Sequence, residues 1–148
     1  MLQKDTLGRN VGLNNDGVTY YRFNTDTLFL VGHENPLWRI YYMHPILALK
    51  YPLSYGDSIS APFLGYGIYC GDHPFKETGL STVIADANGS IVIDDDTIPD
   101  VLRIHSLKSY SICMGIDSTL LDNARQKQVV EERYDWYAHG YRYLFLPL

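Results

Sequence analysis

The chain has 148 residues, 46% of them hydrophobic and 20% charged, with 12 glycines and 7 prolines. That length is read as one domain able to build its own core without a metal or a cross-link. Twelve basic against seventeen acidic residues leave a net charge of −5, which argues against a general polyanion binder and predicts no nucleic-acid partner.

Aromatic residues make up 14% of the chain, including 13 tyrosines, so disorder is excluded. No apolar run approaches the ~20 residues of a membrane-spanning helix. The first residues, Met1-Leu-Gln-Lys-Asp5, contain no apolar h-region, and no signal peptide is read there. Residues 1–17 read as an N-terminal arm and 18–148 as a single all-β domain. Within it, residues 18–23 and 27–31 flank Asn24-Thr25-Asp26 and predict a hairpin. Residues 37–43 form a β-branched and aromatic run ended by His44-Pro45. A second run, 46–51, stops at Pro52, and 63–70 follows a Ser-Ala-Pro bend.

Residues 81–86 and 90–94 predict the clearest hairpin, because Ala87-Asn88-Gly89 offers the positive-φ residues of a tight turn. Residues 101–108 and 110–116 predict another. The stretch 118–133 is ambiguous. Its Leu, Ala, Arg, Gln, Lys and Glu favour helix, yet from Val130 the residues alternate with period two. A short helix or turn followed by a strand is the reading adopted, with His139-Gly140 turning into 141–146. About ten short strands and at most one short helix predict an antiparallel sandwich or a partly closed barrel.

Gly56-Asp57-Ser58-Ile59 resembles the first block of the GDSL hydrolases, where such a serine is the nucleophile. The downstream oxyanion block is missing, and Asp135 and His139 are spaced one residue too widely for that family's final motif. Ordinary turn chemistry is the favoured explanation of the string. An esterase with Ser58 as nucleophile, His139 as base and Asp135 as its orienting carboxylate is kept as the alternative. Cys70-Gly-Asp-His73 has Cys-x2-His spacing, but His105 and Cys113 do not complete a zinc pattern. Asp94-Asp95-Asp96, with Asp86 and Asn88, lacks calcium-loop spacing. No metal or cofactor is expected. Cys70 and Cys113 could form a disulfide worth ~4 kcal/mol in the chain-entropy model or stand as two buried thiols.

The aromatic clusters are the best binding candidates. Tyr20-Tyr21-Arg22-Phe23, Trp38-Arg39-Ile40-Tyr41-Tyr42 and Tyr134-Asp-Trp136-Tyr137 place rings on both strand faces, so one face leaves rings near solvent unless both are covered. Tyr21, Trp38, Tyr137 and Tyr141 are the candidate ligand-binding residues. On the last strand, Arg133 and Asp135 mark the wetter face, which predicts Trp136 inward and Tyr137 outward.

Several strings in order carry a further resemblance. Tyr51-Pro-Leu-Ser-Tyr-Gly-Asp-Ser58, Gly65-Tyr-Gly-Ile-Tyr-Cys70, Ala85-Asp-Ala-Asn-Gly89, Asp100-Val-Leu-Arg-Ile-His105 and Tyr134-Asp-Trp-Tyr137 with Gly140-Tyr-Arg-Tyr143 are similar to segments of exported all-β Bacteroidetes proteins of lipoprotein or sorting-domain type. Leu144 and Asp94-Asp95 stand where that pattern has proline. The resemblance implies export to the periplasm, cell surface or medium, a signal removed from the chain, and no catalytic residues. The expected function is a non-enzymatic envelope module that binds a glycan, peptide or partner protein through an aromatic sheet face.

Overall fold

The computed structural model describes residues 2–4, 10–14, 17–115 and 126–138. They form nine strands in one antiparallel sheet whose spatial order follows the chain: β1 (Leu2–Lys4), β2 (Asn10–Asn14), β3 (Gly17–Asn24), β4 (Thr27–Glu34), β5 (Trp38–Lys50), β6 (Ser58–Tyr69), β7 (His73–Ile93), β8 (Asp96–Met114) and β9 (Gln126–Ala138). Strands β3 to β9 curl into a half-barrel, and β1 and β2 extend the sheet beyond β3. None of the described residues is helical, so no described helix is long and apolar enough to cross a membrane.

The all-β antiparallel reading holds, but the expected count of about ten short strands does not. Strands β7 and β8 run 21 and 19 residues, because residues read as breakers sit at irregularities that the strands pass through. Asn88-Gly89 pairs with Leu102 and Val101 inside the ladder, flanked by register shifts at Ala85/Ala87 and Gly89/Ile91. A bulge absorbs one extra residue without ending the strand. The turn lies instead at Asp94-Asp95, where Asp94 takes φ 53°, a conformation aspartate tolerates better than most residues. Residues 101–108 and 110–116 likewise fall mostly on one strand, β8, rather than on two. His44-Pro45 lies at a register shift within β5, and Pro62 lies beyond the last β5–β6 pair, His44 with Leu64.

The hairpin around Thr25-Asp26 forms as expected. Residues 126–133 are strand, not helix; 118–125 and His139-Gly140 lie outside the described residues. All described strands share one continuous antiparallel sheet.

Side chains alternate across this sheet. On the inner face Leu47, Leu49, Val83, Ala85 and Ile104 form one core cluster, extended by Ile59, Leu102 and Tyr137. Ile46, Phe63 and Tyr110 form a second, extended by Tyr42, Ile112 and Val129. Phe63 meets Tyr42 edge-on at 5.9 Å between ring centroids. The curl shows in the electrostatics. In a flat sheet β3 and β9 would stand about 29 Å apart, six spacings of ~4.8 Å. Yet Tyr21 on β3 feels the charges of Arg133 and Asp135 on β9. Curvature brings the two strands toward each other across the concave side.

Candidate functional site

The outer face leaves two tyrosine rings half exposed and without an aromatic partner among the described residues. Cross-strand pairing sets Tyr41 opposite Tyr66, Tyr66 opposite Lys76, and Lys76 opposite Cys113. This row crosses β5 to β8 and is about 15 Å long, since directly opposed Cβ atoms lie ~5 Å apart. Two residues along, Arg39 stands opposite Ile68 and Ile68 opposite Pro74. Together the rows floor a groove of about 640 Å³. A shallower depression of about 440 Å³ continues it past Arg39 and Ile68 toward the start of β3. Tyr41 and Tyr66 are 46% and 48% exposed, and neither ring contacts another among the described residues.

The local sequence explains this display. Gly65 and Gly67 flank Tyr66, and their missing side chains admit rings on the inner face. A Cβ on Gly65 would lie 2.6 Å from Tyr42 Cδ1, and one on Gly67 would lie 2.3 Å from Phe75 Cζ. With Tyr42 and Phe75 seated on bare backbone, strand alternation carries Tyr66 outward.

Arg39 and Lys76 are the charged residues among the described lining of the groove. Neither forms an ion pair with a described residue. Glu34, opposite Arg39 on β4, accepts a hydrogen bond from the Tyr20 hydroxyl. In a chain of net charge −5, the described groove lining is locally positive. It offers no described histidine or carboxylate.

Elsewhere on the sheet several polar groups pair with one another, while the buried His105 Nε2 has no hydrogen-bond partner among the described residues. On the inner face the Tyr42 hydroxyl donates to Glu77 Oε2 at 3.0 Å. Burial pushes the Glu77 carboxyl above the usual carboxylate range, against the pull of Tyr42 and Lys108. Glu131 is raised by burial, but Lys108 and the Tyr110 hydroxyl more than offset that and hold it below the usual range. On the outer face of β7 to β9, Asp86 clasps Arg103 at 2.8 and 3.0 Å. The Arg103 guanidinium lies over Tyr134 and Trp136, and His105 stacks on Tyr134 at 4.4 Å.

The structure brings together only some of the residues singled out from sequence. Tyr137 packs on the inner core, where burial and then the charge of Asp135 push its hydroxyl pKa up and Tyr21 adds to the effect, so Tyr21 and Tyr137 lie on the same concave side. Trp38 is also inward, 4.7 Å from His33 and edge-on to Phe75. Tyr141 and His139 lie outside the described residues. Ser58 opens β6 on the outer face, while Asp135 is 2% exposed on the inner face of β9, three strands away. Arg133 holds the Asp135 carboxylate at 2.7 and 2.9 Å, and the structure does not bring Ser58 and Asp135 together. The Gly-Asp-Ser string closes a turn in which Asp57 Oδ2 accepts from the Ser54 amide, and Asp57 extends the ladder onto Ala85.

The expectation that Trp136 faces in and Tyr137 out is reversed. The strand and its alternation are as read, but Arg133 and Asp135 neutralise each other, so their face can turn inward while Trp136 lies beside Arg103. Cys70 and Cys113 are free thiols, and among the described residues no three His, Cys, Asp or Glu side chains converge to hold a metal.

Sequence reasoning named Trp38 and passed over its neighbours Arg39 and Tyr41. The missed signal was period two: Ile40 fixes the inner face, which puts Arg39 and Tyr41 outside. No protein-family model, curated protein or solved structure matches this chain.

Proposed function

We propose that this protein is a non-enzymatic module, exported to the cell envelope or surface, that binds a glycan across the outer groove of its curled sheet. The observation that carries the reading is the pair Tyr41 and Tyr66, side by side and open on a face of a β sheet. An exposed ring presents a flat apolar face to the C–H side of a sugar and keeps its hydroxyl for polar contact. The resemblance of the ordered strings between Tyr51 and Tyr143 to exported Bacteroidetes modules supports the location. A peptide would ordinarily add to an open strand edge, but β5 to β8 are each paired on both sides, so the groove offers rings and not backbone. With Ser58 and Asp135 on opposite faces, the esterase alternative gains no support.

The test is a glycan array probed with the wild-type chain and with Tyr66→Ala, alongside an assay of ester turnover. Retention of a glycan subset by the wild type, lost in Tyr66→Ala, with no turnover, is the expected result. Ester turnover abolished by Ser58→Ala overturns the reading in favour of the hydrolase.

A further inference from the structure

The groove selects for charge as well as shape, and from its lining we infer that the bound glycan is acidic, carrying the carboxylates of uronic-acid units. The inference rests on the glycan-binding reading above and deepens it. Three observations converge. The two charged side chains of the described lining, Arg39 and Lys76, are both cationic. Neither is consumed by an ion pair with a described residue, whereas Arg103 and Arg133 are each committed to a carboxylate. Their positions bracket the rings: Lys76 directly follows Tyr66 across β6–β7, and Arg39 stands two residues from Tyr41 on the same face of β5.

A chain of net charge −5 repels a polyanion at long range, so attraction must come from this patch at short range. A sugar ring stacked on Tyr41 or Tyr66 places its carboxylate, fixed to the ring carbon, at the ring's rim. There the Arg39 guanidinium can donate to it in bidentate geometry and the Lys76 ammonium can meet it as a point charge. The row of about 15 Å, three cross-strand spacings of ~5 Å, is long enough for a short oligosaccharide rather than a single sugar. A neutral saccharide would leave both cations without a counter-charge, and desolvating unpaired charge opposes binding.

The experiment compares tetragalacturonic acid with its fully methyl-esterified form, titrated into the intact chain by calorimetry at low and physiological salt. The acid is expected to bind at least tenfold more tightly than the ester, with the advantage shrinking as salt rises. Arg39→Gln and Lys76→Gln should each shrink that difference, weakening the acid by a larger factor than the ester. Tyr66→Ala should weaken both ligands alike. Circular dichroism melts of all variants confirm that the sheet is retained. If acid and ester bind equally, the charge inference is overturned and glycan binding stands. If neither binds while neutral glycans on the array do, the inference again fails alone. If nothing saccharide binds, both fail.

Discussion

The ring of Tyr42 rests on the bare backbone of Gly65, so close that a Cβ there would lie 2.6 Å from Tyr42 Cδ1 and 2.9 Å from Ile40 Cδ1. That contact anchors the inner face of β5 and β6 and thereby fixes which way Tyr66 points. The groove on one side of the sheet is thus a consequence of ring packing on the other.

Gly65→Ala should therefore destabilise the fold by about 1–3 kcal/mol, the usual range for overpacking a filled core. Gly67→Ala should do the same, because its Cβ would meet Phe75 Cζ at 2.3 Å and the Arg39 carbonyl at 2.6 Å. Gly89→Ala, where a Cβ would meet nothing within 4 Å, is the matched control and should be close to neutral. Urea midpoints at unchanged slope measure the three together.

The inverted faces of β9 give a second expectation. Tyr137 belongs to the inner cluster with Leu47, Val83 and Ile104, so Tyr137→Ala should cost about 2–4 kcal/mol. Trp136→Ala removes an outer-face ring beside Arg103 and should cost clearly less, although the residue is larger. Thermal melts of the two variants decide the order. A larger loss for Trp136→Ala would mean that the strand faces the other way.

Stability should also carry the signature of Glu77. Burial raises its folded pKa above the ordinary 4.5, so between those two values the folded chain holds a proton the unfolded chain has released. Stability from this group is complete below the unfolded pKa and is lost as pH rises through the folded one. Asp86, lowered by its Arg103 partner, acts with the opposite sign and contributes above the ordinary carboxylate range. Glu77→Gln keeps an acceptor for the Tyr42 hydroxyl but removes the ionisation. Its stability relative to wild type should rise as pH goes from 4 to 8. Denaturant melts across that range would show parallel curves if Glu77 were unperturbed.

Much of this architecture was legible in the residues. The Thr25-Asp26 hairpin and the alternation of β9 follow from turn chemistry and period two, which are local properties. The length of β7 and β8 was not legible, because Asn88-Gly89 are turn residues by composition and paired ladder residues between two irregularities by context. Whether a strand continues through them depends on partners far away in sequence. Inside and outside on β9 failed for a related reason. Arg133 and Asp135 look solvent-facing one at a time, and only their mutual pairing at 2.7 Å lets the face they share with Tyr137 turn inward. At the groove, Arg39 and Tyr41 were within a cluster already recognised, but their meeting with Tyr66 and Lys76 depends on a register that no short string encodes.

The most direct measurement is a ring-proton NMR titration of the intact chain with a glycan drawn from the array, with tyrosines assigned by single Tyr→Phe variants. Tyr41 and Tyr66 ring resonances should shift with a common binding curve while those of Tyr42 and Tyr110, packed around Phe63 on the inner face, stay in place. Shifts confined to Tyr21 and Tyr137, with Tyr41 and Tyr66 unmoved, would place the site on the concave side and contradict the outer groove.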